Sequence, residues 1–336
     1  MGRIGKKLKT KRLKQALNDI QKNKTKVDNK SVEKIYKYFT HDVMELVFNR
    51  EGMCGVKCSL PKDYNDPYEL FLGMDLNTPT DQLAFYKDIV GGIPQNPTTC
   101  FSQSPTVSPM WAHYANNHSG FVLEFDLIGL QKYFEGNPIW EVSYRDAPHE
   151  NLKKILGRAA ALKKPRYAYE LQEFVFVESY FTKYEEWSYE RECRFVDMKK
   201  VVEDVCGNSI LFIPIEFITS IIVGPKFPQD NLEESVALAE ENGLDWYQLS
   251  IGKSHPKPYM KDDSDDVFIF ENDCISKADK LCECCSEPLI NKEALCPWCN
   301  ITEAHEEEAA QNNPFNMLDQ AGLLESYMES MGKTGK

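Results

Sequence analysis

The sequence lacks a long apolar run. Its most apolar stretch, residues 210–224, is interrupted by Pro214 and Glu216, whereas a membrane-spanning helix needs about 20 consecutive apolar residues. The first twenty residues also lack the apolar core that a secretory signal needs. We therefore expect a cytoplasmic protein without a membrane-spanning segment, and we interpret residues 210–224 as buried β-structure.

Positive charge is also in short supply. The 336 residues carry 39 Lys and Arg against 52 Asp and Glu, a formal net charge of −13. Because nonspecific binding to nucleic acid depends on clustered positive charge, this balance disfavours a protein that coats nucleic acid. Residues 1–30 nevertheless hold eleven Lys and Arg. This basic arm could contact nucleic acid or the acidic C-terminal region, and the alternative is a solvated helix.

What is present is enough for a substantial core and several appended parts. Hydrophobic residues make up 42% of the chain, and the order of strand and helix patterns predicts an α+β fold with a mixed sheet core flanked by helices. The predicted organisation is a basic N-terminal arm or helix (1–30), an α+β core (31–255), a linker (256–273), a zinc-ribbon module (274–303) and an acidic tail with an amphipathic helix (304–336).

Four cysteines give the strongest chemical signal. Cys282 and Cys285 form one CxxC motif, and Cys296 and Cys299 form another. Two such turns bring four thiolates together in a tetrahedral site with no open position, which predicts a structural Zn²⁺ rather than a catalytic one. An iron–sulfur cluster is the alternative for four Cys. Cys284 and Cys274 are spare thiols that could take part, with free thiols as the simpler interpretation.

The tail contains a second interaction signal. Met317, Leu318, Ala321, Leu324, Met328 and Met331 recur at helical spacing. Such a face usually packs on its own domain or on a second subunit. The alternative is a detachable helix that docks into a partner's groove.

Residues 108–120, SPMWAHYANNHSG, predict a helix with an aromatic and polar face. Trp111 and Tyr114 are candidate ligand-binding residues, and His113 and His118 are candidate polar groups of a pocket. On a helix the two His would lie about 140° apart, so they could not jointly bind a metal. A hydrogen-bonded core histidine is the alternative for each.

Three other stretches place polar groups among aromatic residues. The first contains Asn65, Asp66 and Glu69, the second contributes Ser102 at a strand end, and the third contains Glu190, Glu192 and Arg194. Period-two spacing puts the last three on one strand face. If this face is sheltered from solvent, repulsion between Glu190 and Glu192 would raise the pKa of one of them. An exposed acidic edge is the alternative. We expect these segments and residues 102–118 to meet around one cavity.

The motifs NDPYE, CFS, MWAHYANNHSG and WSYERECR together resemble the bacterial domain-of-unknown-function family 2971. The resemblance covers roughly residues 34–250, and the basic arm and the zinc module lie outside it. Tyr64 and Tyr68 stand where the family has Phe, which keeps the aromatic bulk. Members of this family resemble proteins of bacterial abortive infection and phage defence, which implies a toxin-like effector.

The layout is also similar to that of ADP-ribosyltransferase folds. That similarity implies NAD as a substrate, with Lys37 holding the dinucleotide, Ser102 shaping the nicotinamide pocket, and Glu190 or Glu192 stabilising the ribosyl transition state. Lys37 departs from the Arg or His that such enzymes carry.

Three functions follow as hypotheses. The first is ADP-ribosyl transfer from NAD to a macromolecule. The second is metal-dependent hydrolysis of nucleic acid or nucleotide, with His113 or His118 as acid or base and Asp66 and Glu69 holding the metal. The third is a non-enzymatic sensor, in which the pocket binds a small nucleotide or a phage component and the zinc module passes on the signal.

Overall fold

The structure is a computed structural model that describes residues 33–64, 75, 77–91, 95–290 and 293–334. The chain forms two units: the first comprises residues 1–249 together with 270–275, and the second comprises residues 250–269 and 276–336. The predicted basic arm lies outside the described residues. Among the described residues, no helix combines the length and the apolar character needed to cross a membrane.

The first unit is built on the part of the main sheet in which the strand order is β12-β11-β4-β1-β3-β8-β5. Neighbouring strands are antiparallel except β11 and β12, which are parallel, so the sheet is mixed as predicted. The strands are β1 (Lys34–Phe39), β3 (Thr98–Ser102), β4 (Phe121–Asp126), β5 (Ile139–Glu141), β8 (Glu192–Val196), β11 (Ile218–Val223) and β12 (Asp245–Ser250).

Smaller elements surround this sheet. A second sheet has the order β2-β10-β9, and β6 pairs with β7 in parallel. The strands are β2 (Met53–Cys58), β6 (Ser143–Tyr144), β7 (Thr182–Lys183), β9 (Glu203–Val205) and β10 (Asn208–Pro214). The helices are α1 (Met44–Val47), α2 (Thr80–Val90), α3 (Ser108–Tyr114), α4 (Leu127–Tyr133), α5 (Glu150–Leu162), α6 (Pro165–Phe181) and α7 (Leu232–Asn242), with a 3₁₀-helix at Glu185–Glu190.

The apolar core occupies one face of the main sheet and the space under the second sheet. Phe39, Phe101, Phe121, Phe125 and Phe195 are all buried there. A separate cluster packs α5 and α6 together. The predicted α+β class, with a mixed sheet flanked by helices, is therefore confirmed.

The helix predicted over residues 108–120 ends earlier, at Tyr114. Asn116, Asn117 and His118 all adopt positive φ angles of 46°, 53° and 73°. A right-handed helix cannot continue through left-handed residues, and Asn tolerates that region better than most residue types. The helical-wheel relation predicted for the two histidines therefore does not apply.

The segment predicted as a linker, residues 256–273, contains strands. Strands β13 (Tyr259–Lys261) and β14 (Val267–Glu271) lie within residues 256–273 and pair with each other antiparallel. The strand β15 (Cys274–Lys277) follows. The apolar run in VFIFE gives β14 two buried side chains, Val267 and Phe270, although the sequence before it is polar.

The tail is helical but divided. It forms α8 (Glu303–Asn312), α9 (Pro314–Gln320) and α10 (Leu324–Thr334). Gly322, with a φ of 68°, separates the last two and prevents the single amphipathic helix that the spacing predicted. Several large apolar side chains on these helices are exposed: Phe315, Met317, Tyr327, Met328 and Met331.

Candidate functional site

The sheet register brings three polar side chains into one row across adjacent strands. Tyr36 on β1 lies opposite Ser102 on β3, and Ser102 lies opposite Glu192 on β8. Residues opposite each other in an antiparallel pair point to the same face. Each of the three is at most 3% exposed, and polar groups are buried at a free-energy cost unless they are hydrogen-bonded. This row of buried polar groups marks the candidate site.

A turn at a left-handed residue, Arg191, positions a second carboxylate, that of Glu190, beside this row of polar side chains. The 3₁₀-helix ends at Glu190, and Arg191 follows it with a φ of 45°, a region that few non-glycine residues adopt. The Ser102 hydroxyl donates to the Glu190 carbonyl oxygen at 2.7 Å, and the Glu192 amide donates to the Tyr144 hydroxyl at 2.7 Å. Glu190 therefore reaches the site from a helix end, not from the strand that period-two spacing predicted.

Two buried carboxylates and two buried cations form a connected cluster beside this row. The Lys183 ammonium donates to Glu190 Oε2 at 2.6 Å and lies 3.5 Å from Glu192 Oε2. Arg194 binds Glu192 in a bidentate manner, Nε to Oε1 at 2.5 Å and Nη2 to Oε2 at 2.8 Å. The Tyr114 hydroxyl donates to Glu190 Oε1 at 2.8 Å. Because the four charged side chains are at most 7% exposed, they neutralise one another in place of solvent.

The two carboxyl groups differ in acidity. Burial raises the pKa of Glu190 and outweighs the opposing charge of Lys183. Burial also acts to raise the pKa of Glu192, but the charges of Arg194 and Lys183 outweigh it and lower that pKa to about 2. Glu192 therefore stays ionised, while Glu190 exchanges its proton at a higher pH than an ordinary glutamate. Such a divergence between neighbouring carboxyls is typical of acid–base sites.

A cavity of about 190 Å³ opens at this cluster. Six of the side chains predicted from the sequence lie in its lining: Lys37, Ser102, Tyr114, Glu190, Glu192 and Arg194. Lys37 donates from Nζ to the Cys100 carbonyl oxygen at 2.9 Å. The ring of Tyr64, also in the lining, lies 5.3 Å from the Arg194 guanidinium carbon. Segments far apart in the sequence thus share one cavity.

Other predicted residues lie elsewhere. Trp111 has no exposed surface, donates to the Pro105 carbonyl oxygen at 2.7 Å and packs edge-on against Tyr38, so it supports the cavity wall from behind. His113 is exposed, and the His118 ring is stacked on Trp111. None of the three belongs to the described lining of the cavity. The predicted ligand residues Asn65, Asp66 and Glu69 lie outside the described residues.

Sequence reasoning missed Lys183 and Tyr144. Lys183 is 6% exposed, and its ammonium also lies 4.5 Å from the centroid of the Trp187 ring. A lone Lys in FTKYEEW gives no motif signal. Only the pairing of β7 with β6, which aligns Lys183 with Tyr144, brings both residues beside the two carboxylates.

The four predicted metal ligands of the second unit come together. The sulfur atoms of Cys282, Cys285, Cys296 and Cys299 all lie within 4.8 Å of one another. The Cys296 amide donates to Cys282 Sγ at 3.3 Å, and the Cys299 amide donates to Cys296 Sγ at 3.3 Å. Such a cluster could bind a metal ion such as zinc.

The fold and the site define a mixed α+β protein with a buried two-carboxylate cavity, followed by a unit with a four-cysteine cluster. Residues 110–195 match a family described as "Protein of unknown function (DUF2971)". This match supports the resemblance to that family, and it spans the stretch from Met110 to Phe195 that carries Tyr114, Lys183 and both carboxylates. No curated protein and no solved structure matches the chain.

Proposed function

We propose that the cavity is the active site of an ADP-ribosyltransferase-like enzyme that transfers ADP-ribose from NAD to a macromolecule. One observation carries the proposal: Lys37, Ser102 and the Glu190–Glu192 pair share a single cavity. These are the positions that the similarity to ADP-ribosyltransferases assigned to the dinucleotide, the nicotinamide pocket and the ribosyl transition state.

The chemistry requires a carboxylate beside the ribose. The bond between ribose C1′ and the nicotinamide nitrogen breaks, its electron pair leaves with nicotinamide, and C1′ becomes positively charged. A lone pair of the acceptor then forms the new bond to C1′, and the acceptor's proton passes to a base. We assign both tasks to Glu190, since a fixed carboxylate stabilises the developing cation and its raised pKa suits proton transfer.

The surrounding side chains support this assignment. Tyr114 and Lys183 each donate to one oxygen of Glu190, so the carboxylate is oriented before substrate binds. Glu192 forms a bidentate ion pair with Arg194, and we assign Glu192 the role of positioning the neighbouring groups of the cluster. Lys37 contributes a positive charge to the cavity, which suits a dinucleotide phosphate.

Binding without turnover is the second candidate. It is favoured by the mutual pairing of the four buried charges, Lys183, Glu190, Glu192 and Arg194, because a rigid neutral cluster also makes a selective pocket for a small nucleotide. The metal-dependent hydrolase stays a prediction, because the residues predicted to hold its metal ion, Asp66 and Glu69, lie outside the described residues. Neither of its predicted acid–base residues, His113 and His118, is in the described lining of the cavity.

Labelled NAD separates the two candidates. The wild-type protein is incubated with cell extract and NAD that carries a radioactive adenylate phosphate, and labelled macromolecules and released nicotinamide are quantified. We expect Glu190→Gln to reduce transfer about 100-fold or more, by analogy with the loss of one transition-state contact. Glu203→Gln, which removes an exposed carboxylate of the same unit, is the matched control and should transfer normally.

The outcomes are distinct. If calorimetry detects nucleotide binding while no label is transferred and no nicotinamide is released, the result supports a sensor and contradicts the proposed enzyme. Equal transfer by wild type and Glu190→Gln would remove Glu190 from the mechanism. A toxin-like effector is expected to slow bacterial growth when it is expressed, and the Glu190→Gln variant should relieve that effect.

We also propose that the four cysteines hold a structural Zn²⁺. A tetrahedral site with Zn–S bonds of about 2.3 Å separates its sulfur atoms by about 3.8 Å. The Cys285 and Cys296 sulfur atoms are 3.9 Å apart, which agrees with that geometry. The amides that donate to Cys282 and Cys296 are the support that metal-bound thiolates usually receive.

A further inference from the structure

The segment formed by residues 270–275 belongs to the first unit, although the residues on both sides of it in the chain belong to the second. Its two central residues, Asn272 and Asp273, connect β14 to β15 and have φ angles of 53° and 62°. Positive φ at both positions is what a two-residue type I′ hairpin turn requires. Because a type I′ turn has a fixed backbone conformation, it fixes the position from which the Asp273 side chain extends.

This segment touches the candidate site at two places. Asp273 Oδ1 accepts a hydrogen bond from Arg191 Nη2 at 2.7 Å. Phe270 packs edge-on against Tyr36, with ring centroids 5.7 Å apart. Tyr36 lies on β1 and Arg191 immediately precedes β8, and β3 lies between these two strands. The segment therefore spans the three strands that carry the polar row.

Arg191 is the residue between the two carboxylates. Its backbone amide donates to the Ser188 carbonyl oxygen at 3.2 Å, and its carbonyl oxygen accepts from the Gln103 amide at 2.9 Å. Its positive φ sets the directions in which Glu190 and Glu192 leave the chain. A non-glycine residue persists in that region only when its surroundings hold it there, and Asp273 is one of the groups that hold its side chain.

We propose that Asp273 and Arg191 are positioning residues for the two carboxylates, Glu190 and Glu192. In this proposal, segment 270–275 stabilises the turn at Arg191 that orients both carboxylates. The inference about catalysis rests on the proposed function, but the inference about the turn does not. Neither residue contacts the reacting atoms in this proposal: they act through the geometry of Glu190.

Hydrogen exchange tests the turn without reference to any activity. Exchange is followed in the full chain by mass spectrometry of the peptide covering residues 185–195. An ion pair of intermediate exposure contributes modestly, so we expect Asp273→Asn to speed exchange in this peptide about two- to five-fold. Asp273→Glu should restore the wild-type rate. Glu203→Gln, which breaks the exposed ion pair with Arg50, is the matched control and should leave this peptide unchanged.

Kinetics test the catalytic consequence. With labelled NAD, Asp273→Asn should lower kcat more than it changes KM, because the carboxylate is misaligned while the binding surface remains. Unchanged exchange in Asp273→Asn overturns the proposal whatever the activity. Faster exchange in a protein whose wild type transfers no label supports the positioning role and overturns the proposed function, so the two failures are told apart.

Discussion

Two buried cations, Lys183 and Arg194, determine how two neighbouring glutamates differ in acidity. Lys183 lies between Glu190 and Glu192, while Arg194 adds a second positive charge to Glu192 alone. Both carboxyl groups are buried. Glu192, with two cationic partners, therefore becomes a stronger acid, and Glu190, with one cationic partner, becomes a weaker acid. Identical side chains acquire different roles from their partners.

This difference predicts opposite pH dependences of stability. The pKa of Glu192 falls from 4.5 to about 2 in the fold, so its ionised form stabilises the protein above pH 4.5. That contribution, on the order of 3 kcal/mol, is lost as the pH falls through 2. Glu192→Gln should remove this part of the pH dependence, measured as the free energy of urea unfolding at a series of pH values.

Glu190→Gln should act in the other direction. Because the pKa of Glu190 is raised in the fold, its ionisation opposes folding, and the wild type loses stability as the pH rises from the ordinary glutamate value to the raised one. The variant should not show that loss. Parallel pH curves for the wild type and both variants would contradict the assigned difference in acidity. Glu203→Gln provides the exposed reference.

At the scale of elements, the loop after α3 is fixed by close backbone contacts. A Cβ on Gly120 would lie 2.0 Å from the Phe39 carbonyl oxygen, and a Cβ on Gly224 would lie 2.2 Å from the His118 carbonyl oxygen. Backbone atoms cannot move aside as the end of a flexible side chain can. These glycines therefore allow β1, β4 and the left-handed loop to approach one another.

Two glycine substitutions should have opposite effects. Gly120→Ala should destabilise the protein by about 1–3 kcal/mol or more, because the added methyl overlaps the backbone. Gly157→Ala should stabilise it by about 0.5–1 kcal/mol, because Gly157 lies inside α5 with nothing within 4 Å of its would-be Cβ and alanine favours a helix. Thermal unfolding measures both. Equal effects of the two would contradict the close approach at Gly120.

At the scale of the whole molecule, the two units hold their structures by different means. The first unit has a large apolar core, whereas around the cysteine cluster several apolar side chains are exposed, Ile290, Trp298 and Ile301 among them. A region with so little apolar burial would depend on a bound metal ion for its stability. Loss of the proposed zinc should therefore affect the second unit and leave the first intact.

Metal removal tests this division. The native protein should contain one zinc ion per chain by elemental analysis, and Cys296→Ser should reduce that content strongly. In that variant, or after treatment with a chelator, hydrogen exchange should rise in residues 281–300 and stay unchanged in β1, β3 and β8. Cys206→Ser, which changes an exposed cysteine of the first unit, is the control. Full zinc content in Cys296→Ser would contradict the assigned ligand set.

The sequence by itself determined those features whose signal is local. The two CxxC motifs specified the cysteine cluster, because each pair converges within one turn. Alternation of apolar residues specified most strands of the first unit, and Gly243, left-handed with a φ of 66°, is the local signal that ends α7. Ser102, Tyr114, Glu190, Glu192 and Arg194 could be singled out as polar groups among aromatic ones, whereas Lys37 was singled out only through the similarity to ADP-ribosyltransferase folds.

Only the tertiary structure decided which of these groups meet. Strand register, not spacing, aligned Tyr36, Ser102 and Glu192, and a pairing between distant segments brought Lys183 to the two carboxylates. The tertiary structure also placed Trp111 behind the cavity wall and left His113 exposed. The physical reason is that pairing between strands distant in sequence fixes which side chains share a face, and burial then sets their charge states; neither is encoded within a short window of residues.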